Sequence, residues 1–409
     1  MQLMSGNNAP ERPTDIAIIG GGLAGASVAF ALAKRGHHSI LLEQEPQLAQ
    51  GASGNRFALL MPYITASRSP SHTVYSAGFE FSLRLITDEL ARHTSFHQVG
   101  ALQLPSAKRF AQLLANAQEL LSAERVCRIS SQDASAISGI PISSAAFFAP
   151  SAGYISPSNL VAGLTTAYPS KVLPVLNAKA IGLTRHQDGW QVSLADGSSV
   201  ESRIVVICSA FEAQNLPICA WLPLEPIRGQ TAAVGNSSDS RNLRTIVCFD
   251  GYITPAQDGR HMLGAHYRHN DMSNLASESD TNDMIRRAAY WLPALKIAGE
   301  DAISSRVCFR TSTFDRLPYI GALPDFESMR SIATQYQPGT NLSAHVPLTH
   351  AGGLFVSLGH GSRGLLSCPL AGEIIARKIC SESLGDLTSV SCEVDPSRVV
   401  FRELVRLAA

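Results

Sequence analysis

Gly20, Gly22 and Gly25 stand in GxGxxG spacing directly after the apolar run Asp15-Ile-Ala-Ile-Ile19, at the opening of a small-residue, helix-forming stretch. In that spacing the first glycine permits a tight turn, the second lets a pyrophosphate approach the backbone, and the third lets helix and strand pack closely. Leu23 and Ala24 stand at the expected helix start, where backbone amides lack intrahelical partners and attract phosphate oxygens. Glu43, followed by Gln44, ends the next apolar run, where a carboxylate would accept from adenosine ribose hydroxyls and disfavour a 2′-phosphate. The pattern points to a dinucleotide and leaves FAD and NAD both open. Near the other end, Gly359, Gly361, Ser362, Gly364 and Leu365 repeat the order strand, glycine turn, helix. Two such helix starts suit a long cofactor held at both phosphate and ring, and the second could stabilise negative charge on a reduced flavin's pyrimidine oxygen.

The elements that must position these residues are legible from apolar patterning. A strand over 15–19, a helix from Ala24 to about Arg35, the stop at Gly36 and a strand over 38–43 form an opening βαβ unit. Apolar faces predict helices over 76–98 and 107–125, whereas 137–157, rich in Ser, Ala, Gly and Pro, reads as strands and loops. Pro157 opens a further helix with Ser156 or Ser158 as cap. Trp190–Leu194, the turn Asp196-Gly197 and Arg203–Cys208 read as a hairpin leading into a buried strand. A helix is expected near 280–291, a strand over 353–358 and a helix from about Pro369 to Ser381. The fragments suited to a parallel sheet are separated in the chain. They predict a cofactor domain built from 15–75, 150–222 and 346–385, a substrate domain from 76–149 and 223–345, and tails over 1–14 and 386–409.

Composition sets outer bounds. The 409 residues are 45% hydrophobic and 16% charged, which excludes a disordered chain and predicts a large core. Basic and acidic residues balance at 33 each, so a uniformly basic nucleic-acid binder is excluded, although one local patch is not. Of the basic residues only six are Lys and 27 are Arg, the side chain better suited to carboxylate and phosphate. The most apolar window, 16–33, is interrupted by glycines and reads as strand, turn and helix rather than a membrane span. The polar start shows no signal-peptide pattern, and the eight cysteines form no CxxC and no metal-ligand spacing with histidine. A cytoplasmic, metal-free protein with reduced thiols is expected.

Five phrases together resemble the D-amino acid oxidase superfamily, which includes glycine and sarcosine oxidases: AIIGGGLAGASVAFALAKRG, QGASGNRFALLMP at 50–62, PIRGQ at 226–230, FRTSTFDRLPYIG at 309–321 and LGHGSRGLLSCPLAGEIIA at 358–376. Within it, QGASGNR and GSRG followed by PLAGE are most similar to the FAD-dependent oxidoreductase domains of bacterial tRNA 5-methylaminomethyl-2-thiouridine biosynthesis proteins. The resemblance implies an α/β fold: a Rossmann-like FAD-binding domain of glutathione reductase type with a second, α+β substrate domain inserted. It implies that Ala52, Ser53, Gly54, Asn55 and Arg56 contact the pyrophosphate, with Leu59 and Leu60 against the isoalloxazine. Val172 resembles the backbone contact to adenine, and Ala210 stands where the family usually has a glycine near the cofactor. Arg310, in the pattern R-x-x-T-x-D-x-x-P-x-x-G with Thr313, Asp315, Pro318 and Gly321, resembles the arginine that clamps a substrate carboxylate. A structural ion pair with Asp315 or another acid is the other reading of that arginine.

The same resemblance implies hydride removal from the carbon between a carboxylate and a secondary amine, followed by hydrolysis of the imine. Because the amine must be neutral, rates should rise toward its pKa. The expected substrate is the carboxymethylaminomethyl group of a wobble uridine in tRNA, giving glyoxylate and an aminomethyl base. The alternatives are oxidation of a small amino acid such as glycine, sarcosine or a D-amino acid, and a non-catalytic FAD-folded subunit of a complex. His360 and Arg363 are candidate tuning residues of the active site. Cys308, Thr311, Thr313 and Asp315 match the C-x-x-T-x-T-x-D spacing of sarcosine oxidases, so covalent flavin at Cys308 is the alternative to the expected non-covalent FAD. In the tRNA enzymes a methyltransferase usually precedes the flavoprotein, so a separate tRNA methyltransferase is an expected partner. Arg241, Arg244, Arg268, Arg286 and Arg287 are the candidates for a local tRNA patch.

Overall fold

The computed structural model describes residues 4–5, 14–65, 67–105, 124–296 and 304–408. Most of the expected 1–14 tail and of the expected helix over 107–125 lies outside them. The chain divides into two compact units, one of residues 1–53, 160–225 and 311–409, the other of 54–159 and 226–310.

The first unit is built on a nine-stranded sheet. Four strands lie side by side and parallel, in the order Val172–Leu176, Ser39–Leu42, Thr14–Ile19, Ser199–Ile207, and His350–Leu358 continues from the last. Ile16–Ile19 and the strand Ser39–Leu42 are buried throughout, as a sheet covered on both faces requires, and only Asp15 at the start of the run is exposed. The expected hairpin is present: Gly189–Leu194 pairs antiparallel with Ser199–Ile207 around Gly197 at φ +88°. Helix Leu23–Lys34 follows the first glycine turn and packs against helix Gly364–Ile379, so closely that a Cβ on Gly372 would strike the Ser27 backbone. That second helix begins before Pro369, the expected start, because the turn Gly361–Arg363 runs directly into it. Residues 386–408, expected as a tail, carry helices Thr388–Val394 and Ser397–Ala408, with Val399, Val400 and Leu404 buried.

The second unit holds an eight-stranded sheet, in which Ser304–Thr313, Leu224–Gly235, Arg260–Arg268 and Tyr252–Ile253 are successive neighbours, and a three-stranded sheet of Ala58–Leu60, Gly153–Ile155 and Phe96–His97. Helix Pro70–Arg84 starts earlier than the expected 76, because Ser69 accepts from the His72 amide and Pro70 takes the first position. It passes into a π-helical turn, Leu85–Glu89, and Phe96–His97 is strand where helix was expected. Helix Pro157–Thr166 is capped by Ser156, whose Oγ accepts from the Asn159 amide at 3.3 Å. Helix Glu278–Trp291 buries Met284 and Ala288 against Leu263 and Val234. A buried polar network ties the PIRGQ strand to it. Arg228, 1% exposed, bonds Asp280 at 2.9 Å, and Gln230 bonds Thr281 at 2.8 Å and the Ser277 carbonyl at 2.7 Å.

Candidate functional site

The first glycine turn is fixed by close backbone approaches. Gly20 has φ +112°, and a Cβ there would meet the Cys208 carbonyl at 2.6 Å, at the end of the neighbouring parallel strand. Gly25 lies against the Gly20 carbonyl, so a side chain at Gly25 would part helix from strand, and one at Gly20 would part the two strand ends. Glu43 is 8% exposed, and its carboxylate accepts from the Gly21 amide at 2.7 Å and the Glu45 amide at 2.9 Å. Burial pushes its carboxyl above the usual range, and these N–H bonds pull it part of the way back. Each oxygen uses one lone pair on the backbone and keeps capacity for a ribose hydroxyl. Gln44 is exposed beside it. Ser53 Oγ accepts from the Leu23 amide at 3.0 Å and lies 3.3 Å from where a Gly22 Cβ would stand, which joins the phrase 50–56 to the helix start. Ala52 is exposed and Ala24 half-buried at the same turn. Ser209 Oγ, beside Gly20, is buried and has no hydrogen-bond partner among the described residues. A carboxylate held by amides, a helix N-terminus and an orphaned hydroxyl are the donor and acceptor set a dinucleotide needs.

One expectation about this end changes. Val172 pairs with Ser39 at the amino end of its strand, whereas Glu43 follows the carboxyl end. Parallel register therefore removes Val172 from the site. Ala178, whose amide donates to the Glu43 carbonyl at 2.8 Å, occupies the carboxyl end, where ligands of parallel sheets bind. Ala210 is exposed and adopts φ +54°, the left-handed region that favours glycine, although it carries a side chain.

At the second turn, Gly359 has φ +75° and packs against the Thr313 methyl, and Gly361 has φ +57° with open space on its side-chain side. Ser362 is exposed, Gly364 and Arg363 are half-buried, and Leu365 is buried. His360 is not placed to exchange protons. Ser357 Oγ lies 3.0 Å from its Nε2 and Ser367 Oγ 2.8 Å from its Nδ1, and burial pushes the imidazole down to about 4. Neutral and held at both nitrogens, it props the turn. Ser367 also bonds the Arg363 carbonyl at 3.0 Å, tying His360 and Arg363 into one hydroxyl-linked turn.

In the second unit Arg310 forms the chemical centre. Its guanidinium carbon lies 4.7 Å from the Tyr267 ring centroid, and Gly229 of PIRGQ leaves the space it fills, since a Cβ there would sit 3.0 Å from Nη1. Nη1 is buried with no hydrogen-bond partner among the described residues. The ion pair with Asp315 does not form: Asp315 is held by Arg398, at 2.8 Å and 3.2 Å. A permanently charged fork with a buried, unpaired donor fits an incoming carboxylate. Cys308, two residues earlier on the same strand, is 6% exposed and directs Sγ to Asn55 Oδ1 at 3.6 Å. Arg56, expected on pyrophosphate, pairs with Asp258 at 2.8 Å, while Gly54 is half-buried in the short turn Ala52–Gly54. Leu59 and Leu60 point to opposite faces by strand alternation. Leu60 is 0% exposed, so only half-buried Leu59 presents surface.

A cleft of about 410 Å³ adjoins this arginine's neighbours, lined by Asp250, Gly251, Tyr252, Gly264, His266, Tyr267 and Arg287 among others. Tyr252, Tyr267 and Gly229 were missed in the sequence. Gly229 alone left a signal, inside PIRGQ, while the tyrosines join Arg310 through strand pairing across distant residues.

Residues 15–378 match the family model DAO, FAD dependent oxidoreductase. The tRNA 5-methylaminomethyl-2-thiouridine biosynthesis bifunctional protein MnmC of Pseudomonas paraeruginosa is 30% identical over 401 residues, covering 95% of this chain and 60% of the relative. That of Aeromonas hydrophila is 32% identical over 405 residues, covering 97% and 60%. The chain thus spans about three-fifths of the length of the curated relatives it matches. Among solved structures, glycine oxidase from Geobacillus kaustophilus superposes with a TM-score of 0.73 at 22% identity, covering 91% of this chain and 95% of that one, which supports the fold.

Proposed function

Since this chain belongs to the DAO family of FAD dependent oxidoreductases, we propose that it oxidises the C–N bond of a carboxymethylamino group, converting 5-carboxymethylaminomethyl-(2-thio)uridine in tRNA to the 5-aminomethyl base and releasing glyoxylate. The unit of residues 1–53, 160–225 and 311–409 is read as the FAD domain and the other as the substrate domain. The observation that carries the reading is Arg310, whose buried Nη1 lacks a hydrogen-bond partner among the described residues. It anchors the substrate carboxylate and so fixes the adjacent C–H. Bound FAD, held non-covalently, supplies the two-electron acceptor. Glu43 holds the ribose, the helix start at Leu23 holds phosphate, and His360 keeps the second turn in shape. No side chain of the site removes the amine proton in this reading, so the substrate must arrive as the neutral amine. The cleft of about 410 Å³ lined by Tyr252 and Tyr267, neighbours of this arginine, leaves room for more than glycine and supports a carboxylate carried on a larger group. The MnmC relatives share that direction, as proteins of tRNA 5-methylaminomethyl-2-thiouridine biosynthesis by name.

Anaerobic mixing with tRNA bearing the carboxymethylaminomethyl base, and separately with glycine and sarcosine, tests this. Flavin bleaching by the tRNA with release of glyoxylate is expected. Arg310→Lys should lower kcat/KM by about 10²-fold or more, because one ammonium cannot replace a bidentate fork. Bleaching by the free amino acids alone would turn the assignment to a small amino-acid oxidase.

A further inference from the structure

We propose that Arg398, which lies beyond the residues matched by the family model, is a positioning residue for the turn at Leu358–Gly364 that receives the ring end of the flavin. The proposal rests on the reading of that turn as the ring-end cradle. Arg398 is the second residue of helix Ser397–Ala408. Its fork grips Asp315, Nε to Oδ2 at 2.8 Å and Nη2 to Oδ1 at 3.2 Å. Nη2 also donates to the Leu317 carbonyl at 2.7 Å, and Nη1 to the carbonyls of Val394 and Asp395 at 3.0 and 3.1 Å. The guanidinium is therefore saturated, and it is fixed to two segments at once.

Two paths lead from it to the same turn. In the first, Asp315 Oδ1 accepts from the Leu317 amide at 3.0 Å and from Thr313 Oγ1 at 3.0 Å. Thr313 Oγ1 also lies 2.7 Å from the Leu317 carbonyl, so the threonine rotamer is set, and its methyl occupies the place a side chain on Gly359 would take. In the second, the Arg398 guanidinium covers the Tyr319 ring at 4.5 Å, and Tyr319 pairs in register with Leu358, the residue before Gly359. A simple brace would need only one of these paths. Their convergence on 358–359 gives Arg398 control over the backbone shape at Gly359.

The test uses the FAD-loaded protein and the variants Arg398→Ala, Arg398→Lys, Asp315→Asn and Leu404→Ala. The last loosens the same helix through a residue 2% exposed that packs in the cluster of Phe326 and Met329. Visible absorbance and circular dichroism of the bound flavin, FAD release on dilution and Tm are measured. Arg398→Ala should shift the flavin bands and weaken FAD retention about tenfold, Arg398→Lys and Asp315→Asn should move both in the same direction by less, and Leu404→Ala should lower Tm alone. If Arg398→Ala does not fold, Arg398→Lys and Asp315→Asn carry the comparison. Equal losses of Tm in all variants, with flavin bands and FAD retention unchanged, would reduce Arg398 to a brace and overturn the proposal. A parent protein that retains no FAD would overturn the reading of the turn as well.

Discussion

At the residue scale, the side chains that matter are those whose polar atoms are either fully engaged or conspicuously not. His360 belongs to the first group and Arg310 to the second. That difference decides which of them can act on a substrate. The His360 imidazole titrates near 4 in the fold and near 6.5 when unfolded. Above pH 6.5 both states keep it neutral and its contribution is complete. As pH falls from 6.5 toward 4 the unfolded chain takes up a proton that the fold excludes, so stability declines over that window. His360→Asn should therefore flatten the fall of Tm between pH 6.5 and 4, measured by thermal unfolding at fixed ionic strength. The pH dependence of kcat should be the same in the two proteins, since it follows the substrate amine. Loss of the alkaline rise in the variant would return His360 to a catalytic role.

At the element scale, glycine patterns located the turns, and backbone geometry showed what each turn costs. Ala210 is the informative exception, a non-glycine held at φ +54°. The left-handed region costs an L-residue roughly 1–2 kcal/mol, while glycine loses about 0.5–1 kcal/mol through its freer unfolded state. Ala210→Gly should thus stabilise the protein by about 0.5–1 kcal/mol in urea unfolding with no change in m-value. A loss of stability would mean that the methyl makes contacts outweighing the strain. Register also corrected the expected site. Val172 and Leu60 were expected on the cofactor, yet parallel pairing puts the first at the amino end of its strand and alternation puts the second inside the core. Apolar spacing reveals that a strand exists, but not which of its ends or faces meets a ligand.

At the scale of the whole molecule, the charge balance of 33 against 33 takes on local meaning. Three of the five arginines expected as a tRNA patch face carboxylates, Arg268 bonding Asp280 while Arg286 and Arg287 meet Asp283 at 3.5 and 3.1 Å. Recognition should then depend on the modified base more than on the phosphate backbone. The logarithm of kcat/KM for tRNA should fall with the logarithm of salt concentration at a slope shallower than about −3, as for few phosphate contacts. A slope near −6 or steeper would require a basic track that these pairings do not provide. The sequence by itself determined the cofactor class, through Gly20, Gly22, Gly25 and Glu43, because a dinucleotide turn needs particular residues within one local stretch. It also singled out Arg310 within a short motif. Only the tertiary structure decided that Asp315 belongs to Arg398, that His360 is bonded shut, and that Tyr252, Tyr267 and Gly229 lie around Arg310. Those facts depend on strands and helices brought together from remote parts of the chain, and no local pattern of residue types records such a meeting.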